Sequence, residues 1–196
     1  MWKYSTPGIP DEFFERLEDV PITKEEVRAV QISKARLSPG QTVYDIGCGS
    51  GSVSIEAALQ IKSSGKVYSI DFDPKAVELT KKNLAKFGIS NVTVISGNAA
   101  EKILELPTAD VIFIGGTGGD TKDIVKVCEG KLKSGGRIVI GTILVETVFA
   151  VLDIIEKLKF SSVDITQITV SKSRKSSTGT MMLARNPVTI ISATKI

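Results

Sequence analysis

The residues best suited to chemistry lie in a glycine-rich loop, Asp45-Ile46-Gly47-Cys48-Gly49-Ser50-Gly51, which follows a short run rich in Val, Tyr and Ile. Glycines at alternate positions allow a positive φ angle and let a ligand lie against bare backbone. The helix expected after the loop begins with free N–H groups and the positive end of its dipole. The loop therefore predicts a binding site for a polar, nucleotide-like ligand.

The spacing of the glycines distinguishes two ligand classes. Such a loop can hold a phosphate, or the amino-acid portion and ribose of S-adenosylmethionine. A dinucleotide-binding loop has G-x-G-x-x-G spacing, whereas the glycines here are at 47, 49 and 51. Asp71 ends the second predicted strand, where its carboxylate can accept hydrogen bonds from both ribose hydroxyls. Together these features favour S-adenosylmethionine, although each alone also fits a tight turn or a helix cap.

The composition narrows the chemistry further. The chain has no histidine, which removes the commonest general base and metal ligand. Cys48 and Cys128 are too few for a disulfide framework or a zinc site, so no metal is expected. We expect Cys48 to be an unreactive small residue of the loop and Cys128 to be a core residue.

The hydrophobic and charged fractions, 42% and 24%, are ordinary for a soluble globular protein. No apolar run approaches the roughly 20 residues that span a bilayer. The N-terminus is not followed by a signal-peptide core, so we expect a cytoplasmic protein without membrane contact. The 196 residues are predicted to form a single domain, residues 1–196.

Short Val- and Ile-rich runs alternate with longer stretches of helical spacing, which is typical of an α/β, doubly wound and mostly parallel sheet. The predicted strands are Thr42–Ile46, Lys66–Ile70, Val92–Ile95, Ala109–Ile114 and Arg137–Ile140. The clearest predicted helices are Ser52–Ile61, Pro74–Phe87, Thr121–Leu132 and Val145–Leu158. The second of these should be capped by Asp73 and end at Gly88. The carboxyl ends of parallel strands meet at one edge, where ligands bind.

The two ends of the chain follow other patterns. Thr23–Leu37 is predicted as a helix in which Thr23 and Glu26 form a capping box. Near the C-terminus, further antiparallel strands are expected at one end of the sheet. They are Ser162–Val170, Thr180–Ala184 and Pro187–Ala193. Ser171–Gly179 is expected to be a mobile loop. Met181 and Met182 should point to opposite faces of their strand, one of them toward the core.

From Gln41 to about Gly141 the chain resembles the class I S-adenosylmethionine-dependent methyltransferases, a Rossmann-like fold with seven strands. The resemblance implies that Gly47, Cys48, Gly49, Ser50 and Gly51 contact the cofactor. It also implies that Asn98 and Ala99 frame the adenine. Many members of this class have an acid where this chain has Asn98, but an amide oxygen can also accept from the adenine amino group.

The segment after the fourth predicted strand indicates the acceptor. Methyltransferases that modify exocyclic amines often carry an Asn/Asp-Pro-Pro-aromatic motif there, whereas this chain has Ile114-Gly115-Gly116-Thr117-Gly118-Gly119-Asp120. Four glycines within five residues leave room for a large acceptor to approach closely. A flexible strand-to-helix connection is the alternative.

Five further segments resemble the decarboxylating cobalt-precorrin-6B C-15 methyltransferases of cobalamin biosynthesis, nearly end to end. These segments are Ile9-Pro10-Asp11-Glu12-Phe13-Phe14, Ile22-Thr23-Lys24-Glu25-Glu26-Val27-Arg28, Gly115-Gly116-Thr117-Gly118-Gly119, Gly179-Thr180-Met181-Met182 and Arg185-Asn186-Pro187-Val188. The resemblance implies a cytoplasmic homotetramer that methylates a corrin-ring carbon and removes carbon dioxide from an acetate side chain. It places Thr23 near the cofactor, and Gly116, Thr117 and Gly118 near the substrate.

The C-terminal region suits an anionic substrate. No acidic residue follows Asp164, whereas five basic residues do: Lys172, Arg174, Lys175, Arg185 and Lys195. Because arginine binds carboxylates in bidentate fashion, Arg174 and Arg185 are the predicted ligands of a polycarboxylate tetrapyrrole. A solvated basic surface is the alternative. We expect no side chain to act as an essential nucleophile or general base, Asp120 and Glu146 included.

Two other functions fit parts of the sequence. An RNA methyltransferase acting on a tRNA adenine would suit the basic C-terminal region, although the chain shows no added RNA-binding domain. A non-enzymatic S-adenosylmethionine sensor would use the same glycine loop. A nicotinamide dehydrogenase is disfavoured by the glycine spacing.

Overall fold

The Val- and Ile-rich segments form a seven-stranded sheet in a computed structural model of the chain. The model describes residues 2–196, so Met1 of the predicted domain lies outside the described residues. The strands are β1 (Thr42–Ile46), β2 (Lys66–Asp71), β3 (Val92–Ser96), β4 (Ala109–Ile114), β5 (Leu132–Thr142), β6 (Ser161–Ile168), β7 (Ser171–Lys175), β8 (Thr180–Ala184) and β9 (Val188–Thr194). The helices are α1 (Glu25–Ala35), α2 (Ser52–Ile61), α3 (Pro74–Phe87), α4 (Ala99–Lys102), α5 (Thr121–Lys131) and α6 (Val145–Lys157).

The strand order is β3-β2-β1-β4-β5-β9-β6, and β1 to β5 are parallel. β9 is antiparallel to both of its neighbours, β5 and β6. Consequently β6 runs in the same direction as β5, and both end at the edge of the sheet where β1, β2 and β4 also end. The predicted mostly parallel α/β sheet with antiparallel C-terminal strands is confirmed.

Alternate residues of the strands pack against helices on opposite faces of the sheet. Tyr44, Ile112 and Ile138 belong to a buried cluster with α5 and α6. Val43, Val111 and Val139 belong to a second cluster with α1 and α2. Because both faces are covered, β1, β4 and the second half of β5 are mostly apolar, which made them recognisable in the sequence.

The ends of α3 follow the sequence prediction. The Asp73 carboxylate accepts a hydrogen bond from the Lys75 N–H at 2.9 Å, and Pro74 occupies the first turn. Gly88 ends the helix with a φ angle of 67°, and its N–H donates back into the last turn. This helix packs beside the glycine loop, as described below.

The predicted capping box of α1 is wrong. The helix begins at Glu25, and the side chain of Thr23 caps no N–H group. Instead, the Glu25 N–H donates to the Asp11 carboxylate at 3.1 Å, and the Asp11 N–H donates to the Glu25 carboxylate at 2.9 Å. A side chain 14 residues upstream therefore replaces the local cap, because the preceding chain folds back onto the start of the helix.

The segment between β6 and β9 corrects two predictions. Ser171–Gly179 is not a loop throughout, because Ser171–Lys175 forms β7. Thr180–Ala184 forms β8, but it pairs with β7 in a separate two-stranded hairpin and not with the main sheet. Met181 and Met182 do lie on opposite faces of β8, yet neither reaches the core, since both are about half exposed or more. The hairpin connects the end of β6 to the start of β9 at the carboxyl edge of the sheet.

None of the helices within residues 2–196 is both long enough and apolar enough to cross a membrane.

Candidate active site

A cavity of about 320 Å³ opens at the carboxyl edge of the sheet, between the ends of β1, β2 and β4. It brings together seven of the predicted site residues, which are Gly47, Asp71, Asn98, Ala99, Gly116, Thr117 and Gly118. Its remaining wall comes from Ile46, Ile70, Phe72, Gly97, Ala100, Asp120 and Ile124. The lining does not include the other predicted cofactor residues, which are Thr23, Cys48, Gly49, Ser50 and Gly51.

The N–H groups of the glycine loop are already used inside the protein. The Gly47 and Cys48 N–H groups donate to the Ile70 carbonyl at 2.9 and 3.2 Å, and the Gly51 N–H donates to the Cys48 carbonyl at 2.8 Å. Gly49 donates to the Asp71 carboxylate and Ser50 to the Pro21 carbonyl. A phosphate needs N–H donors that point at it. The loop thus presents bare backbone without free donors, which counts against a dinucleotide and a phosphate ligand.

Side chains from α3 hold the outer side of the loop. The Thr80 hydroxyl donates to the Gly49 carbonyl at 2.9 Å, and the Asn83 amide donates to the Ser50 carbonyl at 2.9 Å. A Cβ atom at Gly51 would stand 2.8 Å from the Thr80 methyl group, so only glycine fits this approach. The loop is therefore fixed by its surroundings before any ligand binds.

Asp71 joins the loop to the end of β2. One carboxylate oxygen accepts from the Gly49 N–H at 2.9 Å, and the other accepts from the Asp73 N–H at 3.0 Å. A carboxylate has about four lone-pair positions. Two of them remain for a ligand in the cavity, which is compatible with the predicted pair of ribose hydroxyls.

Cys48 and Ser50 are buried in the loop. Burial raises the pKa of the Cys48 thiol, and the nearby Asp45 carboxylate adds to the effect. The Ser50 hydroxyl oxygen is buried and has no hydrogen-bond partner among residues 2–196. Thr23 contributes its carbonyl oxygen, which accepts a hydrogen bond from Arg28. Cys48 and Ser50 are thus buried parts of the loop, and Thr23 belongs to the hydrogen-bond network of Arg28.

Asp45, at the start of the loop, is a buried acid. Its carboxylate accepts a hydrogen bond from the Ser54 hydroxyl, which lies 2.6 Å from the Ser69 hydroxyl. Burial raises the pKa of Asp45 to about 6, the Ser54 hydrogen bond opposes this, and the Asp71 charge adds to it. The side chains of Asp45, Ser54 and Ser69 thus connect β1, α2 and β2 through hydrogen bonds.

The second glycine run touches the first. Gly47 has a φ angle of 70°, and a Cβ atom there would overlap the carbonyl oxygen of Gly116 and stand 3.0 Å from its nitrogen. On their other side, Gly116, Gly118 and Gly119 have nothing within 4 Å of a Cβ position. The run therefore packs against the first glycine loop on one side and leaves open space on the other.

Phe72 lies at the cavity but was not predicted from the sequence. Phe72 follows Asp71 directly, lines the cavity, and is 69% exposed. An aromatic ring in this position offers a flat surface for a nucleobase to stack on. Its position directly after Asp71 was the feature of the sequence that could have indicated a place at the site. Asn98, expected to meet the adenine, uses its side-chain oxygen to accept from the Ala100 N–H at 2.8 Å, which caps α4.

The β7–β8 hairpin forms a second cavity, of about 460 Å³, which is lined by Lys172, Ser173, Arg174, Leu183, Ala184 and Arg185. The start of α1 holds the hairpin in place. Lys172 pairs with Glu25 and, at 2.9 Å, with Glu26, and Arg185 pairs with Glu26 at 3.1 Å. The bonds to Glu25 and Glu26 raise the pKa of Lys172.

The two arginines predicted to bind the substrate therefore differ in whether an acidic side chain already pairs with them. Arg185 shares its charge with Glu26, whereas Arg174 has no acidic partner within the described residues. Arg174 is paired across the hairpin with Met181, and Lys172 with Leu183. These four side chains share one face of the hairpin. Since Lys172 reaches α1 from this face, the face is directed toward the body of the protein and carries both positive and apolar groups.

The carboxyl edge of the sheet also carries an exposed apolar surface. Ile143, Leu144, Val145 and Phe149, where β5 passes into α6, are each more than half exposed. β5 is the neighbour of β4 in the sheet. An apolar surface thus lies next to the open glycine run that follows β4.

Among residues 2–196, no three His, Cys, Asp or Glu side chains lie close enough together to hold a metal ion.

The strand order, the glycine loop after β1 and the acid at the end of β2 define the Rossmann-like methyltransferase class. The model of the precorrin methyltransferase domain matches residues 12–195. A relative from Saccharolobus solfataricus, described as a probable cobalt-precorrin-6B C(15)-methyltransferase (decarboxylating), is 45% identical over 196 residues, covering 99% of this chain and 98% of the relative. The chain belongs to the precorrin methyltransferase family.

Solved structures agree with this assignment. The crystal structure of precorrin-8W decarboxylase from Methanobacterium thermoautotrophicum has a TM-score of 0.89 and 37% sequence identity, over 94% of this chain and 98% of that chain. The precorrin-6y C5,15-methyltransferase of Geobacter metallireducens has a TM-score of 0.90 and 35% identity, over 97% of both chains. The resemblance inferred from five scattered sequence segments is therefore confirmed at the level of the family.

Proposed function

We propose that this protein transfers a methyl group from S-adenosylmethionine to carbon C-15 of the corrin ring of cobalt-precorrin-6B, and removes carbon dioxide from an acetate side chain of that substrate. This places it in cobalamin biosynthesis. The observation that carries the proposal is the contact between Gly47 and Gly116, which sets the predicted cofactor loop directly beside a glycine run open to a large acceptor. The 45% identical relative bears the corresponding description.

The residues around the first cavity fit S-adenosylmethionine. Asp71 has free lone pairs for the ribose, Phe72 offers a stacking surface for the adenine, and Gly47 leaves its backbone bare. The internally satisfied N–H groups of the loop suit a ligand without phosphate. When bound, S-adenosylmethionine supplies an electrophilic methyl group.

The carboxyl edge fits an amphiphilic acceptor. A corrin precursor combines a broad ring system with many carboxylates at its rim. The exposed apolar groups at the start of α6 suit the ring, and Arg174 on the hairpin suits a carboxylate, because it has no acidic partner within the described residues. We assign Arg174 the stronger carboxylate contact, because Arg185 is already paired with Glu26.

The chemistry requires little from the side chains. Attack of an electron-rich ring carbon on a methyl group needs no proton to be removed first, so in-line positioning supplies much of the rate. In the decarboxylation, the conjugated ring takes up the electron pair that the departing carbon dioxide leaves behind, as a cofactor would. Asp120 lines the cavity at the N-terminus of α5, and Glu146 lies in the first turn of α6. We assign neither residue an essential role as base or nucleophile.

The test uses purified protein, S-adenosylmethionine with a labelled methyl group, and a cobalt-precorrin mixture. Transfer of label to the tetrapyrrole together with release of carbon dioxide is expected. Arg174→Gln should raise the KM for the tetrapyrrole and leave the Kd for S-adenosylhomocysteine unchanged. Lys159→Gln serves as a control, because Lys159 lies just before β6 and the hairpin follows the other end of that strand. Binding of S-adenosylhomocysteine without either reaction would support the sensor hypothesis instead.

An RNA substrate is disfavoured by the pairing of the basic groups. Lys172 and Arg185 are engaged with Glu25 and Glu26, which leaves fewer free charges on the hairpin than the sequence suggests. RNA affinity that falls steeply with salt would contradict this conclusion.

The family resemblance also implies a homotetramer in the cytoplasm, and we propose both for this protein. Light scattering at several protein concentrations tests the tetramer, and cell fractionation tests the location.

A further inference from the structure

We propose that Arg28 is a positioning residue for the cofactor loop, acting through the chain that precedes α1. We call residues 8–23 the N-terminal segment. Arg28 fixes this segment in one place, and the segment fixes the backbone of the loop at Gly49 and Ser50. This inference rests on the proposed binding of S-adenosylmethionine, and it adds a residue that touches neither the cavity nor the ligand.

Arg28 is completely buried and has four partners. Its Nε donates to the Glu56 carboxylate at 2.6 Å, and its guanidinium also lies 3.4 Å from Asp11. The remaining donors bond the carbonyl oxygens of Ile9 and Thr23. Arg28 therefore holds the N-terminal segment close to both of its ends.

Glu56 extends the same network to the backbone of the segment. Its two carboxylate oxygens accept hydrogen bonds from the N–H groups of Gly8 and Ile9, each at 2.8 Å. Glu56 lies on α2, the helix that begins directly after the glycine loop. The buried ion pair thus connects the segment to the element that follows the loop.

The N-terminal segment reaches the loop at two points. The Pro21 carbonyl accepts from the Ser50 N–H at 3.2 Å, and a Cβ atom at Gly49 would stand 2.7 Å from that carbonyl. Second, the Asn83 amide donates both to the Ser50 carbonyl, at 2.9 Å, and to the Glu15 carbonyl, at 3.2 Å. Displacement of the segment would therefore remove the acceptor of the Ser50 N–H and would free the Asn83 amide, which holds the Ser50 carbonyl, from its second partner.

The loop position matters because Gly49 also holds Asp71. The Gly49 N–H donates to the Asp71 carboxylate, which we assign to the ribose. A shift of Gly49 would turn that carboxylate away from its ligand-binding orientation. A buried ion pair is seldom the cheapest way to stabilise a fold, whereas a fixed set of hydrogen bonds at defined angles suits the orientation of a neighbouring site.

The experiment compares Arg28→Met with Arg137→Met. Arg137 is also buried, and it makes three hydrogen bonds where Arg28 makes four: to the Lys34 carbonyl at 2.7 Å and to the Thr194 and Ser192 hydroxyls at 2.9 and 2.8 Å. Those partners lie in the last turn of α1 and in the second half of β9, away from the loop. Both variants are expected to lower Tm. Only Arg28→Met should raise the Kd for S-adenosylhomocysteine, by roughly tenfold or more.

A gentler pair of variants covers the case in which Arg28→Met does not fold. Val20 is buried against Ala76 and Leu79, one residue before Pro21. Val20→Ala should weaken S-adenosylhomocysteine binding several-fold, whereas Val151→Ala, an equal deletion at a buried position in α6, should not. Equal Kd values in the two variants would overturn the proposal.

Hydrogen exchange of the ligand-free protein provides the second readout. The Ser50 amide should exchange faster in Arg28→Met than in Arg137→Met at matched stability, because its acceptor is the Pro21 carbonyl. Faster exchange with an unchanged Kd would overturn the inference alone. If the wild type bound no S-adenosylhomocysteine, the proposed function would fail first, and the inference with it.

Discussion

The contact between the two glycine loops can be tested by adding a single methyl group at Gly47. Gly47→Ala has two effects. Alanine at a φ angle of 70° costs about 1–2 kcal/mol. The new Cβ atom would also overlap the Gly116 carbonyl, and relieving such overpacking costs about 1–3 kcal/mol more. We therefore expect a loss of roughly 2–5 kcal/mol in the free energy of unfolding.

Gly135 offers a matched control. Its φ angle is 77°, and nothing lies within 4 Å of a Cβ position there. Gly135→Ala should therefore lower the free energy of unfolding only by the backbone term of about 1–2 kcal/mol. For a domain of this size, each 1 kcal/mol corresponds to a decrease in Tm of about 2–4 °C.

The assay is denaturant unfolding of the wild type and both variants, followed by titration with S-adenosylhomocysteine. Gly47→Ala should lose more stability than Gly135→Ala and should bind the ligand at least roughly tenfold more weakly, because the Gly116 peptide must move. Equal losses of stability in the two variants would refute the contact between the loops. An unchanged affinity of Gly47→Ala for S-adenosylhomocysteine would refute the placement of this contact in the cofactor site.

Three further predictions concern single side chains. Because burial raises the pKa of Asp45 to about 6, the folded protein holds this proton where the unfolded chain has lost it. The wild type should therefore lose up to about 3 kcal/mol relative to Asp45→Asn between about pH 4 and about pH 7, measured by urea unfolding; parallel pH profiles would contradict this. Cys48 and Cys128 are buried with raised thiol pKa values, so neither should react with a thiol reagent until denaturant is added. Phe72→Ala should lose about 1–3 kcal/mol of S-adenosylhomocysteine binding free energy if adenine stacks on the ring, with almost no change in Tm, whereas Phe72→Tyr should bind normally.

The sequence was most informative where local pattern and burial agree. β1 and β4 are apolar because both faces of the sheet are covered, and α3 has its cap, its proline and its terminal glycine in the sequence itself. The pairing of the glycine loop with Asp71 was equally accessible, since the ends of adjacent parallel strands must lie side by side.

Long-range partners explain what the sequence did not predict. β7 is polar and exposed along most of its length, and its strand conformation depends on pairing with β8 and on the contact of Lys172 with α1. The cap of α1 comes from Asp11, which no local pattern associates with Glu25. Likewise, the N–H donors of the loop look free in the sequence, because their acceptors, such as the Pro21 carbonyl, come from distant segments.

The position of β9 has a consequence for synthesis of the chain on the ribosome. β5 and β6 are made first, but they do not pair with each other, since β9 lies between them. Until Val188–Thr194 has emerged, β5 has an open edge of unpaired backbone groups, and open edges attract other strands. We therefore expect the nascent chain to be most prone to pairing with other strands before β9 inserts between β5 and β6.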